Sequence, residues 1–189
     1  MKVKTPKQPR PHNYKKEKYF DTASLITYLD EVCATLITNF LTPGRNHLVK
    51  DLMNVKDRDF NALWHAAHNN EENKHSKNEF KGIYAFATVD RNDVDFHYIG
   101  ISQTIRRRFG KHTLKKRKNE ASWAYLMAKH HHPDLSNEDR QLKIPEYQQK
   151  YIHPVRFTFC QVDDHMLMHI AEVYCANKLR AEWNTFETH

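Results

Sequence analysis

The chain has 189 residues, 39% of them apolar and 12% aromatic, with only four glycines and seven prolines. That is the size and composition of one folded domain with room for a small extra element, and it excludes collagen-like, low-complexity and wholly disordered classes. No apolar run reaches the roughly 18 to 20 residues that cross a bilayer, and Met1-Lys2-Val3-Lys4 leads into polar sequence, so a soluble, cytoplasmic protein with no membrane partner is expected. Three cysteines, Cys33, Cys160 and Cys175, show no C-x-x-C spacing and read as reduced thiols.

The net charge of +7 is segregated. Residues 1–18 carry seven Lys/Arg against the single acid Glu17, and residues 106–118 carry eight with no acid, which leaves the rest of the chain at −7. An acidic body with two basic clusters points to a polyanionic partner, because such clusters neutralise phosphates and release counterions.

In chain order, residues 1–18, with Pro6, Pro9 and Pro11 among lysines, read as a basic flexible arm. Residues 19–78 read as a helical N-terminal segment. Asp21 is a candidate N-cap, and Leu25, Tyr28, Leu29, Val32, Leu36 and Phe40 recur at helical spacing until Pro43-Gly44. A second helix is predicted over 57–70, with Phe60, Leu63, Trp64 and Ala67 on one side, followed by a polar stretch at 69–78. From Gly82 the period changes. Residues 82–89 and 94–100, separated by Asp90-Arg91-Asn92-Asp93, predict a β-hairpin, and residues 154–162 a third strand. Ser102 is placed as the cap of a helix through the basic stretch, and a helix carrying Trp123, Leu126 and Met127 follows it. Residues 132–153 read as an irregular insertion, and Asp163 or Asp164 caps a last helix ending near Arg180. The fold class is α+β: a small three-stranded antiparallel sheet flanked by helices.

A four-residue hairpin loop would set Tyr84 opposite Tyr98, Phe86 opposite Phe96 and Thr88 opposite Val94, making the two phenols cross-strand neighbours. Arg108 and His112, four residues apart, can project from one side of the next helix toward that face. In the last helix Glu172 is the only formally charged residue between His165 and Asn177. A buried carboxylate must be protonated, paired with a base such as Arg108, or bound to a metal ion. Trp64 and Trp123 fall on apolar stripes and read as core. Neither His130-His131-His132 nor the pair His65 and His68 has the geometry or cysteine partners of a zinc site. Arg106, Arg107, Lys111, Lys115, Lys116, Arg117 and Lys118 read as a nucleic-acid-contacting face that supplies charge without base readout.

Gly82-Ile83-Tyr84, then Tyr98-Ile99-Gly100, Arg108, His112, Glu172 and Asn184, in that order and spacing, resemble the GIY-YIG nuclease superfamily over residues 79–189. The ending through Trp183-Asn184-Thr185 is most similar to restriction-type members. The resemblance implies a three-stranded antiparallel sheet and hydrolysis of DNA phosphodiesters with one Mg²⁺ or Mn²⁺ ion held by Glu172. It further implies that Tyr84 activates the attacking water and that Tyr98 and Arg108 bind the scissile phosphate. His112 would assist proton transfer or orient a tyrosine, and Asn184 would brace the site. Double-stranded DNA is the expected partner, and a homodimer would serve double-strand cutting. A non-catalytic nucleic-acid-binding module and an RNA nuclease on the same fold are the alternatives.

Overall fold

A computed structural model describes residues 21–68 and 80–184. The arm at 1–18 and the polar stretch at 69–78 lie outside them. The elements in order are α1 (Thr22–Leu41), β1 (His47–Leu48), α2 (Val49–Leu52), α3 (Asp57–His68), β2 (Gly82–Asp90), β3 (Asp93–Ser102), α4 (Ile105–Leu114), α5 (Ser122–His131), α6 (Asn137–Leu142) and α7 (Ile144–Tyr147). A π-helical turn (Gln148–Ile152), β4 (Arg156–Gln161) and α8 (His165–Lys178) complete the chain. No helix among the described residues is long and apolar enough to cross a membrane.

The sheet is antiparallel with order β1-β4-β2-β3, one strand more than the sequence suggests. The addition is the two-residue β1, which pairs His47 with Phe157 and Leu48 with Arg156. It is too short to leave a period in the sequence. The loop before it is tied down by side chains: Asn46 Nδ2 donates to the Phe40 carbonyl at 2.8 Å, closing the end of α1, and Arg156 donates to Asn46 Oδ1 at 2.6 Å.

The hairpin turns tighter than expected. Asp90 and Asp93 are its last pair, leaving a two-residue loop in which Arg91 takes a left-handed φ of 55°. From Gly82 opposite Ser102 the register runs to Phe86 opposite Tyr98, then shifts so that Ala87 faces Phe96 and His97 is the extra residue of a bulge. Tyr84 therefore faces Gly100, not Tyr98, and the phenols are diagonal neighbours.

Alternation along β2 feeds two cores. Tyr84, Phe86, Phe157 and Phe159 point to one face, where Phe60, Trp64, Phe109 and Trp123 from α3, α4 and α5 cover them. Ile83, Ala85, Ala87 and Ile99 point to the other, under Leu29, Val32, Leu36 and Phe40 of α1 and Met168, Ala171 and Cys175 of α8. The N-terminal helices thus contribute to both cores. Asp21 caps α1 by accepting from the Ser24 amide at 3.0 Å, and Asp164 caps α8 by accepting from the Leu167 amide at 2.9 Å. Both tryptophans read as core are wholly buried, whereas Leu63 is 38% exposed. The side chains of His65, Ala67 and His68 fall outside what is described.

Two local expectations are corrected. Ser102 ends β3 and accepts from the Thr104 amide at 3.0 Å, while α4 starts only at Ile105. The stretch at 132–153 is not irregular: it forms α6, α7 and the π-helical turn, and buries Ile144, Tyr147, Gln148 and Ile152. Its apolar residues are sparse because these helices are short, so no helical period accumulates.

Candidate active site

The site forms where the hairpin meets α4. Tyr84 is 1% exposed, and its hydroxyl oxygen receives the Arg108 Nε–H at 3.0 Å and lies 2.9 Å from His112 Nε2. Residues four apart on α4 project onto the same side, which brings these two groups to one oxygen. Gly110 between them does not disturb the helix. Arg108 also donates to Ser122 Oγ at 3.1 Å and lies close enough to the Tyr98 phenol to interact with it. Tyr98 is half-buried, with its ring stacked on Trp123 at 5.6 Å and 5.1 Å from the His112 ring.

Gly100 makes this approach possible. A Cβ there would lie 2.6 Å from Tyr84 Cζ and closer still to the hydroxyl oxygen. Gly82 has φ +151°, and a Cβ on it would come within 2.9 Å of Val162 N. The first glycine therefore allows tight β2–β4 packing and the last lets a phenol cross β3.

Glu172 reaches the same place from α8. Its half-buried carboxylate lies within electrostatic reach of the Ile101 amide, Arg108 and Tyr84. Among the described residues it takes part in no ion pair within 4.0 Å.

Asn184 works from the open edge of the sheet. Its Oδ1 accepts from the Ile99 amide at 2.8 Å and its Nδ2 donates to the Ile99 carbonyl at 2.6 Å. The Glu182 and Trp183 amides continue the pairing to Phe96 and His97. The segment thus covers the β3 edge and fixes the strand that carries Tyr98 and Gly100.

The electrostatics are those of a cluster short of positive charge. Burial, reinforced by Tyr98, pushes the Tyr84 phenol well above its ordinary pKa, and Arg108 only partly opposes this. Burial raises Glu172, with Arg108 and the Ile101 amide pulling the other way. For Arg108 burial works against the charge, but the two phenols more than offset it and its pKa rises. Burial and the nearby Arg108 hold His112 well below its usual range, so it is neutral at pH 7. Its Nδ1 is buried and has no hydrogen-bond partner among the described residues.

Two acid groups thus share one fixed cation. A hard divalent ion fits such a place, since Mg²⁺ takes oxygen donors, keeps several waters and needs only one or two carboxylates. Among the described residues no group of three or more His, Cys, Asp or Glu side chains is placed to hold a metal, so Glu172 is the donor such an ion would find.

Of the basic residues, Lys115, Lys116, Arg117 and Lys118 are exposed beyond the end of α4, and Lys111 is half-buried on it. Arg107 is exposed, with its Nε donating to Thr104 at 3.1 Å. Arg106 is different and corrects the expectation. It pairs with Asp57 at 3.1 Å, donates to the Val55 carbonyl at 2.9 Å and lies over the Phe60 ring, with a side chain only 12% exposed. It joins α4 to α3 and is not free to meet a phosphate.

Three residues that support the site are not marked as site residues by the sequence, although Trp123 is read there as core. Ser122 holds Arg108, Trp123 backs Tyr98, and the buried Gln148 donates to the His112 and Lys115 carbonyls at 2.7 and 2.8 Å. Comparison with protein-family models, curated proteins and solved structures found no match.

Proposed function

We propose that the chain is a metal-dependent endonuclease of the GIY-YIG type that hydrolyses DNA phosphodiester bonds, with cleavage of the restriction or a similar site-specific kind. The observation that carries this is the Tyr84 hydroxyl held between Arg108 Nε and His112 Nε2, with Tyr98 and Glu172 beside it. A buried phenol, a neutral imidazole, a guanidinium and a lone carboxylate are the parts of a phosphoryl-transfer site that works by positioning and charge.

In this reading Glu172 holds one Mg²⁺ or Mn²⁺ ion. Such an ion supplies the positive charge that the cluster lacks, lowering the pKa of a neighbouring phenol or water and offsetting charge on the phosphate. Tyr84 accepts the proton of the attacking water as its own proton passes to His112 Nε2, 2.9 Å away and unprotonated at neutral pH. Arg108 and Tyr98 donate to the non-bridging oxygens of the scissile phosphate, and Asn184 keeps the strand that carries Tyr98 in register. Lys115 to Lys118 and Arg107 hold the flanking backbone. Cutting both strands needs two sites or two visits, which a homodimer would provide.

The test is incubation of supercoiled plasmid with Mg²⁺ or Mn²⁺, followed by mapping of the ends. Defined 5′ and 3′ ends at a preferred site are expected. Salt-sensitive binding without nicking under any divalent ion would leave only a non-catalytic nucleic-acid-binding module, and cleavage confined to RNA would move the activity to that polymer.

A further inference from the structure

The histidine run that yields no zinc site has another use. The exposed His131, at the end of α5, stacks on Tyr147 at 5.8 Å and on Tyr151 at 6.4 Å, nearly parallel at 26° and 6°. Tyr147 and Tyr151 stack on each other at 5.5 Å and 24°, and Trp183 approaches His131 at 6.1 Å. Tyr147 and Tyr151 are four residues apart and so share a face, the second within the π-helical turn, and such turns are frequent at functional sites. Tyr147 closes the inner side of the ladder, being 5% exposed, while His131 is exposed and Tyr151 and Trp183 are half-buried at its outer side. Lys150 lies 4.8 Å over the Tyr151 ring.

Chain geometry ties the ladder to the active site. Residue 183 precedes Asn184, which grips Ile99. Helix α5 starts at Ser122, which holds Arg108, and ends at His131, a path of about 14 Å at 1.5 Å per residue. The basic loop flanks the same module, since Gln148 bonds the Lys115 carbonyl and Gln141 accepts from the Lys118 amide.

Resting on the nuclease reading, we propose that the ladder of His131, Tyr151 and Trp183 is a stacking platform for an unpaired nucleobase of the strand that flanks the scissile phosphate. Exposed aromatic faces next to cations bind single strands without regard to sequence, because every base has a π-face and Arg or Lys tracks its phosphates. A duplex hides those faces by stacking its own bases. The substrate class is therefore DNA with a single-stranded or frayed stretch beside the cut.

The test measures binding in EDTA, so that no cleavage intervenes. The probes are a single-stranded 20-mer containing 2-aminopurine and a blunt duplex of the same length. Wild type is compared with Tyr151→Ser, Tyr151→Phe and the exposed-residue variant His131→Ala. Tyr151→Ser and His131→Ala should weaken single-strand binding by about 5- to 100-fold, from the usual worth of one base–aromatic stack. They should abolish the 2-aminopurine fluorescence change and leave duplex affinity within about twofold. Tyr151→Phe, which keeps the ring, should bind like wild type. Unchanged single-strand binding in both variants, or equal losses on duplex and single strand, would overturn the platform. Wild type that binds duplex but not single strand would overturn it while leaving the nuclease reading intact. Binding to neither probe would overturn both.

Discussion

Gly100→Ala is the sharpest single perturbation of the site. Gly44 and Gly82 are the glycines with positive φ, so an alanine backbone is permitted at 100 and only space forbids it. The new methyl would lie 2.6 Å from Tyr84 Cζ. In a flexible surface side chain that clash would be relieved cheaply, but the Tyr84 ring is wholly buried and its oxygen is held by Arg108 and His112. Either β3 shifts, at the overpacking cost of about 1–3 kcal/mol, or the phenol leaves its pocket and gives up a charge-assisted hydrogen bond worth about 1.5–3 kcal/mol. By either route the loss is about 1–3 kcal/mol, or about 2–12 °C in Tm at the scale of 2–4 °C per kcal/mol for a chain of this size. Denaturant titration of wild type, Gly100→Ala, Tyr84→Leu and the double variant isolates the contact. In the Tyr84→Leu background, where no ring tip crosses β3, the same Gly→Ala change should cost under about 0.5 kcal/mol, because Ala is favoured over Gly in a strand. An equal cost in both backgrounds would refute the crossing of Tyr84 over Gly100.

Other perturbations separate the parts. His112 is neutral when folded and has an ordinary pKa of 6.5 when unfolded, so the unfolded state binds the extra proton first and stability falls as pH drops below about 6.5. The slope should approach 1.4 kcal/mol per pH unit and flatten in His112→Gln; identical slopes in stability-versus-pH titrations would contradict the buried neutral ring. The folded pKa of Glu172 lies above its ordinary 4.5, so its contribution is full below that value and lost as pH rises through the folded pKa. Glu172→Gln should therefore melt higher than wild type at pH 7 in EDTA, and Mn²⁺ should raise the melting temperature of wild type alone. Equal Mn²⁺ shifts in both proteins would place the ion elsewhere. Arg106→Ala should lower stability with little change in the salt dependence of DNA binding. Lys116→Ala should instead leave the melt unchanged and reduce the slope of log K against log salt by about 1; the reverse pattern would undo the division between structural and phosphate-facing arginines and lysines.

Much of the site is legible in the sequence because it depends on short-range geometry. The i, i+4 spacing of Arg108 and His112 is a property of any helix, and the apolar run around Glu172 announces a buried acid. Although the hairpin register differs by two from the expected one, Tyr84 and Tyr98 stay on one face, since a shift of two preserves the alternation. Half of the difference lies at the turn end, where Val89 pairs with Val94 and not with residue 93, and half at the His97 bulge, which moves every later pair by one more residue. What the sequence hides is long-range. The engagement of Arg106 with Asp57 depends on how α3 docks, β1 is too short to show a period, and the helical stretch at 132–153 takes its order from core contacts through Ile144, Tyr147 and Ile152. The ladder of His131, Tyr147, Tyr151 and Trp183 joins three segments that nothing in the linear chain relates.

Single-turnover cleavage of one DNA substrate by wild type and Glu172→Gln, in saturating Mn²⁺ and at equal folded concentration, bears most directly on the claim that this carboxylate and the Tyr84 cluster form one catalytic centre. A loss of about 10²- to 10³-fold, the usual effect of removing one electrostatic element from a transition state, with DNA affinity retained, is the expected result. Cleavage at an undiminished rate by Glu172→Gln would contradict it.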